Sequence, residues 1–269
     1  VIEANRLEHG PAFGQATDAA GNGESDWPTY RHDNLRSGFT KNQVGEKLAE
    51  KWATKLEGKL SAVTLSENKL FVARVDAHEV VALHAETGKE LWRFTTGGRV
   101  DSPPSIRDGR AYFGSADGWV YCLRTSDGAL VWRFRAAPED RRLMAYEQLE
   151  SVWPVHGSVL IRENQIYFVA GRSNFLDGGM RWFALDALTG KKNIEVVLDD
   201  KEPGEEKSLQ DRIQILQMPV GLPDILSSDD KYIYMKSQKF DREGQRIDLG
   251  PHSGDFAGQG GQQGGDTAH

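Results

Sequence analysis

The residues with chemical potential in this chain gather in two stretches, 135–156 and 171–180. The first carries Arg141, Arg142, Glu147, Glu150, Trp153 and His156, and the second adds Arg172 and Asp177. Asp101 stands upstream of both. Arginines beside an aromatic ring could hold a carboxylate, a phosphate or an acidic protein segment through charge-assisted, bidentate hydrogen bonds. The simpler reading is that these charges pair with one another and pin long loops, and it outweighs ligand binding. Catalysis is the least supported of the three. His156 and Glu150 lie near each other, but no nucleophile or second base completes a constellation.

Other reactive groups carry less. Arg74, Asp76 and His78 form a D-x-H turn, and two ligands in a surface turn are a weak metal signal. Cys122, the single cysteine, falls at a small apolar position equivalent to Ala82 and Ala184, and reads as a buried hydrophobe. Catalytic and metal-binding residues are therefore expected to be none. G-x-S-x-G, P-loop and H-E-x-x-H patterns are missing from the sequence.

A repeat positions these residues. Trp52, Trp92 and Trp132 are spaced by forty residues twice. Upstream of the second and third lie "VVALHAETGKELW" and "VYCLRTSDGALVW", and "WFALDALTGKKNI" is a third copy with Ile194 at the tryptophan position. Each copy reads as two β-rich runs around a turn glycine. Before each comes another pair, with turns "SENK", "RDGR", "RENQ" and "SDDK". Four antiparallel strands per unit of about forty residues is the period of a propeller blade. The reading is an all-β β-propeller of four-stranded blades with tryptophan-docking repeats, in which Trp52, Trp92 and Trp132 are structural.

Blades fall at about 60–94, 100–134 and 155–197, with a half blade at 222–240 and an outer strand of an earlier blade at 51–56. Residues 1–25 read as an N-terminal extension, 26–240 as the blades and 241–269 as a glycine-rich flexible tail. About four blades suggest an incomplete arc of a seven- or eight-bladed propeller, and hence a fragment whose remaining blades come from elsewhere. Val1, with no initiator Met and no signal-peptide order in 1–24, reads as a processed or excised start. Pro103 and Pro104 should distort an inner strand.

With the strands of a blade named A to D from the channel outward, the A–B and C–D turns share one face and are short. The B–C turns and D–A links share the other face, and there the long insertions lie. Function concentrates on long loops over a rigid scaffold, so Asp101, His156 and the insertion residues mark the face expected to bind.

The net charge of −7 and pI near 5.6 argue against a nucleic-acid partner, and no run of about 20 apolar residues is present to span a bilayer.

The pattern A-x-x-x-x-[T/D]-G-x-x-x-W at 82–92, varied to begin with Cys122 at 122–132, resembles the tryptophan-docking repeat of PQQ-like, quinoprotein-type propellers. "DWPTYRHDNLRSG" (26–38) is similar to their opening segment. The resemblance covers roughly residues 26–240. "GSADGWVYCLRTSDGALVWRFRAAP" and "ESVWPVHGSVL" are most similar to the large propeller proteins of planctomycete-type bacteria. It implies tryptophans docked between blades and a periplasmic or cell-envelope location. The family's dehydrogenases hold pyrroloquinoline quinone over calcium. The adjacent cysteines of their site, a convincing Glu/Asn/Asp set and a C-x-x-C-H haem motif are missing here, so no cofactor is expected and PQQ with calcium is disfavoured. The resulting expectation is a non-catalytic propeller that binds a protein partner or ligand. The alternative is the propeller part of a quinoprotein-type oxidoreductase or of a larger multidomain enzyme.

Overall fold

A computed structural model describes residues 2–15, 23, 25–201, 223–236 and 238–248. The first strand, β1 (Leu7–His9), precedes the repeats. The first sheet is β2 (Leu60–Ser66), β3 (Lys69–Arg74), β4 (Glu79–His84) and β5 (Glu90–Thr95), hydrogen-bonded in that order. The second is β6 (Ser105–Arg107), β7 (Arg110–Gly114), β8 (Trp119–Arg124) and β9 (Leu130–Arg135), with β1 added antiparallel to β9. A hairpin of β10 (Arg142–Ala145) and β11 (Gln148–Ser151) stands between this sheet and the third. The third comprises β12 (Leu160–Arg162), β13 (Gln165–Ala170), β14 (Met180–Asp186) and β15 (Lys192–Leu198). The fourth comprises β16 (Ser227–Ser228), β17 (Ile233–Met235), β18 (Gln238–Phe240) and β19 (Arg246–Asp248). The described residues contain no α-helix, and none of their helical turns is long and apolar enough to cross a membrane.

Each sheet is a four-strand meander, so the chain is an all-β propeller of antiparallel blades. Alternation along the strands fills the spaces between blades. Phe71, Ala82 and Trp92 of the first meet Ala111, Tyr121 and Leu123 of the second. Cys122, Trp132 and Phe134 meet Ile166, Phe168 and Phe183 of the third, while Trp182 and Ala184 meet Ile233, Met235 and Phe240 of the fourth. A β-bulge recurs at one place in all four blades, between Ala82 and Leu83, Cys122 and Leu123, Ala184 and Leu185, and Lys239 and Phe240. A bulge increases local twist, so the repeat sets the curvature as well as the strand count.

The tryptophans join neighbouring blades. The Nε1–H of Trp52 donates to Ala85 O, that of Trp92 to Thr125 O and that of Trp132 to Ala187 O. Each ring lies against a turn glycine: Gly88, Gly128 and Gly190. A Cβ at Gly190 would come within 2.6 Å of the Trp132 ring, and its φ of +73° is the left-handed region that glycine enters without steric cost. In the third blade the docking role shifts by one strand. Ile194 occupies the repeat position, and Trp182 on β14 covers Gly244 of the fourth blade instead.

Several expectations need correction. Residues 51–56 form no strand, although Trp52 and Leu56 still cover Val72, Val81 and Leu83. Part of the supposed N-terminal extension is a blade strand, because β1 pairs Leu7 with Phe134 and His9 with Trp132. The last blade is not half a blade ending at 240, since β19 continues it to Asp248. The glycine-rich stretch beyond that point lies outside the described residues. Pro103 and Pro104 lie just before β6, whose three residues match the length of the proline-free β12, so they do not shorten the strand, and Thr64 Oγ1 donates to Pro104 O from the neighbouring blade.

Residues 26–38 run across the inner strands of all four blades. Trp27 bridges Leu65, Pro28 O accepts from Ile106 N, Asn34 Nδ2 donates to Ile161 O, and Asn34 O accepts from Ser228 N. Arg36 donates to Leu226 O, and burial pushes its pKa down to about 10. All four contacts lie beside A–B turns, so this segment braces the face away from the long insertions. A cavity of about 310 Å3, lined in part by His32, Asn34, Ile106 and Ile161, opens beside it.

Candidate binding surface on the long-insertion face

The D–A link after β9 could only be read as a long loop; it folds into the β10–β11 hairpin. Its turn is Tyr146–Glu147, with φ of +51° and +62°. Two consecutive positive values are the geometry of a two-residue I′ turn, which asparagine and glycine normally supply. Cross-strand pairing then sorts the side chains. Leu143 and Glu150 are partners facing the scaffold, where Glu150 is buried and Leu143 packs against the core. Met144 and Leu149 are partners facing out, and both are exposed, as is Tyr146 at the tip.

Glu150 anchors the hairpin. It accepts from Arg172 NH2 at 2.9 Å and pairs with Arg99 NH2 at 2.7 Å. Arg99, itself buried, lies 3.6 Å from Asp101 and places its guanidinium 4.1 Å from the Tyr146 ring centre. His156 Nδ1 donates to Asp101 Oδ2 at 2.8 Å. Burial works against ionisation of Asp101, but the His156 hydrogen bond and the charges of His156, Arg99 and Lys59 outweigh it, so the carboxyl stays below its ordinary value. Asp101, Glu150, His156 and Arg172 thus form one network.

Arg99 is the member that sequence reasoning passed over. It lies within the D–A link between β5 and β6, two residues before Asp101, and only the folded hairpin brings Glu150 to it.

Arg141, Trp153 and Asp177 form a second group. Arg141 donates to Asp177 at 2.9 Å, and its guanidinium lies 5.3 Å from the centre of the buried Trp153 ring. Arg142 belongs to neither group and pairs with Asp140 at 3.3 Å. His78 meets Gln148 Oε1 at 2.7 Å, and Gln148 Nε2 donates to Asp76 O, tying the first blade's B–C turn to the hairpin. Among the described residues, no group of three or more His, Cys, Asp and Glu is placed to hold a metal. Cys122 is fully buried, and that burial pushes its thiol pKa well up.

The chemistry of the face follows. Asp101, Glu150, His156 and Arg172 are engaged with one another and with Arg99, which fastens the insertions to the blades. Four large apolar side chains also face solvent, Met144, Tyr146, Leu149 and, on the 171–180 loop, Leu176, beside exposed Arg141, Arg142 and Glu147. An exposed apolar cluster rimmed by charge suits a protein contact.

The fold has known counterparts. A family model described as "Outer membrane protein assembly factor BamB" (PQQ_2) matches residues 37–213. The chain belongs to this family. A curated relative, outer membrane protein assembly factor BamB of Moranella endobia (strain PCIT), is 33% identical over 70 residues, which is 26% of this chain and 18% of that protein. Among solved structures, the quinohemoprotein alcohol dehydrogenase ADHIIG of Pseudomonas putida HK5 is similar at a TM-score of 0.60 and 15% identity, over 80% of this chain and 34% of that one. The quinohemoprotein alcohol dehydrogenase of Comamonas testosteroni is similar at 0.52 and 17%, over 69% and 29%. The chain therefore spans about a third or less of these proteins, and at such identities the likeness is one of fold.

Proposed function

We propose that this propeller is a protein-binding scaffold of the cell envelope and that the β10–β11 hairpin is its principal contact. One observation carries the reading. An outward cross-strand pair, Met144 and Leu149, and the tip residue Tyr146 are exposed on a hairpin whose other face is fixed by buried Glu150. Loops held this firmly present contacts at a reduced ordering cost. Membership of a family described by an outer-membrane assembly factor supports a scaffold over an enzyme, and is the ground for the envelope location. The narrower kinship with planctomycete-type propellers rests on the quoted sequence stretches alone. A test is to express the protein with Met144→Asp and Leu149→Asp in its native host and compare the proteins that co-purify. A defined partner retained by the wild type and lost by the variant, with folding intact, is the expected result. An unchanged set of partners would remove the hairpin from the account.

A further inference from the structure

We infer that the outer edge of the first blade, β5, is a second docking site, which takes up an extended segment of a partner protein as an added antiparallel strand. The segment carries an apolar residue opposite Phe94 and a carboxylate opposite Arg93. This deepens the scaffold reading and rests on it.

The chain contains its own template. At the second blade β1 adds to β9, with Leu7 opposite Phe134, Glu8 opposite Arg133 and His9 opposite Trp132. Flanking bonds run from Gly10 N to Val131 O and from Arg135 N to Arg6 O, so the outward backbone groups of β9 belong to alternate residues 131, 133 and 135. The repeat maps these onto Leu91, Arg93 and Thr95 of β5. That edge has no strand beside it among the described residues.

Equivalent side chains respond accordingly. Under β1, Val131 is 3% exposed and Trp132 0%; on the bare edge Leu91 is 42% exposed and Trp92 8%. The underlying ring geometry is duplicated: Phe134 and Phe183 meet edge-on at 5.7 Å, and Phe94 and Tyr121 do so at 5.8 Å.

Charge adds to the chemistry of the occupant. Glu8 pairs with Arg133 at 2.6 Å across the template, and Arg93 holds that position on β5, where Glu90 at 2.7 Å and Glu79 at 3.2 Å already engage it and an incoming carboxylate would share its guanidinium. Charged residues on an edge strand often serve to prevent pairing. Here β9 carries the same arginine and is paired, because the incoming strand brings a carboxylate to it. Main-chain bonds would give such a segment affinity and the alternating side chains its selectivity.

The probe is a synthetic peptide of residues 2–10, IEANRLEHG, added to the full chain, with amide hydrogen exchange followed residue by residue. The inference expects saturable binding in which exchange slows at Leu91, Arg93 and Thr95. Arg93→Pro, which removes an outward N–H without touching the inner ladder, should weaken binding at least tenfold, and the milder Leu91→Lys severalfold. A peptide with Glu8→Lys should also bind less tightly. Binding that ignores both chain variants, or slowed exchange only along β9 where the peptide has replaced β1, would overturn the inference, as would no binding at millimolar peptide. The hairpin variant Met144→Asp/Leu149→Asp should leave peptide binding unchanged, so failure at β5 and failure of the hairpin reading are separately visible.

Discussion

Glu150 shows how a single side chain decides the character of a surface. It is buried between Arg99 and Arg172, and removing one partner of such a group leaves the others charged and uncompensated. Glu150→Gln should therefore lower unfolding free energy by about 3–5 kcal/mol, read by denaturant titration. Arg141→Ala with Arg142→Ala should change it by no more than about 0.5 kcal/mol, since both are half exposed. A large loss there would mean that the outer ion pairs, and not Glu150, fasten the loops.

Asp101 adds a pH dependence whose sign is fixed. Its carboxyl titrates lower in the folded chain than in the unfolded one, so its contribution is present above the ordinary value near 3.8. That contribution is lost as pH falls through the lower, folded value. Melting curves between pH 5 and pH 3 should accordingly fall more steeply for wild type than for Asp101→Asn; parallel curves would count against the Asp101–His156 bond.

At the scale of elements, the tryptophan and its glycine act as one joint between blades. Trp132 is fully buried and Trp92 nearly so, and Trp132→Ala should cost about 3–5 kcal/mol. Gly190→Ala should also destabilise, because its Cβ would meet the Trp132 ring and its φ is positive. An unchanged melting temperature for either variant would show that the joint does not hold the blades.

These joints were legible because one period repeats Trp, Gly and strand lengths together. β1 was not legible, for its three residues carry no repeat and their partner is about 125 residues away. β19 was hidden for a related reason: its blade has short strands and ends in a polar run. The move from Ile194 to Trp182 follows from packing, since a ring on the neighbouring strand can fill the same space over the next blade's glycine. The insertion face was recognisable by loop length, yet its hairpin and Arg99 were not, because pairing within the link between Arg135 and Leu160 leaves no periodic trace.

The whole molecule is a row of blades braced differently on its two faces. Residues 26–38 tie the inner strands together beside the A–B turns, and the other face carries the insertions. The loop charges were expected above all to pin one another; Glu150 pairs with Arg99 and Arg172, and the hairpin also turns Met144, Tyr146 and Leu149 to solvent beside Arg141 and Arg142. On the proposed scaffold role, anchoring and recognition fall on opposite sides of the hairpin, with Glu150 on one and Met144 and Leu149 on the other.

The most direct measurement is photocrosslinking in the native host, with a photoreactive amino acid placed at Tyr146 and, as a control, at exposed Glu163 in an A–B turn. The scaffold account predicts one defined protein adduct from position 146, none from 163, and loss of that adduct when Met144 and Leu149 become Asp. No adduct at 146, or the same adducts from both positions, would contradict it.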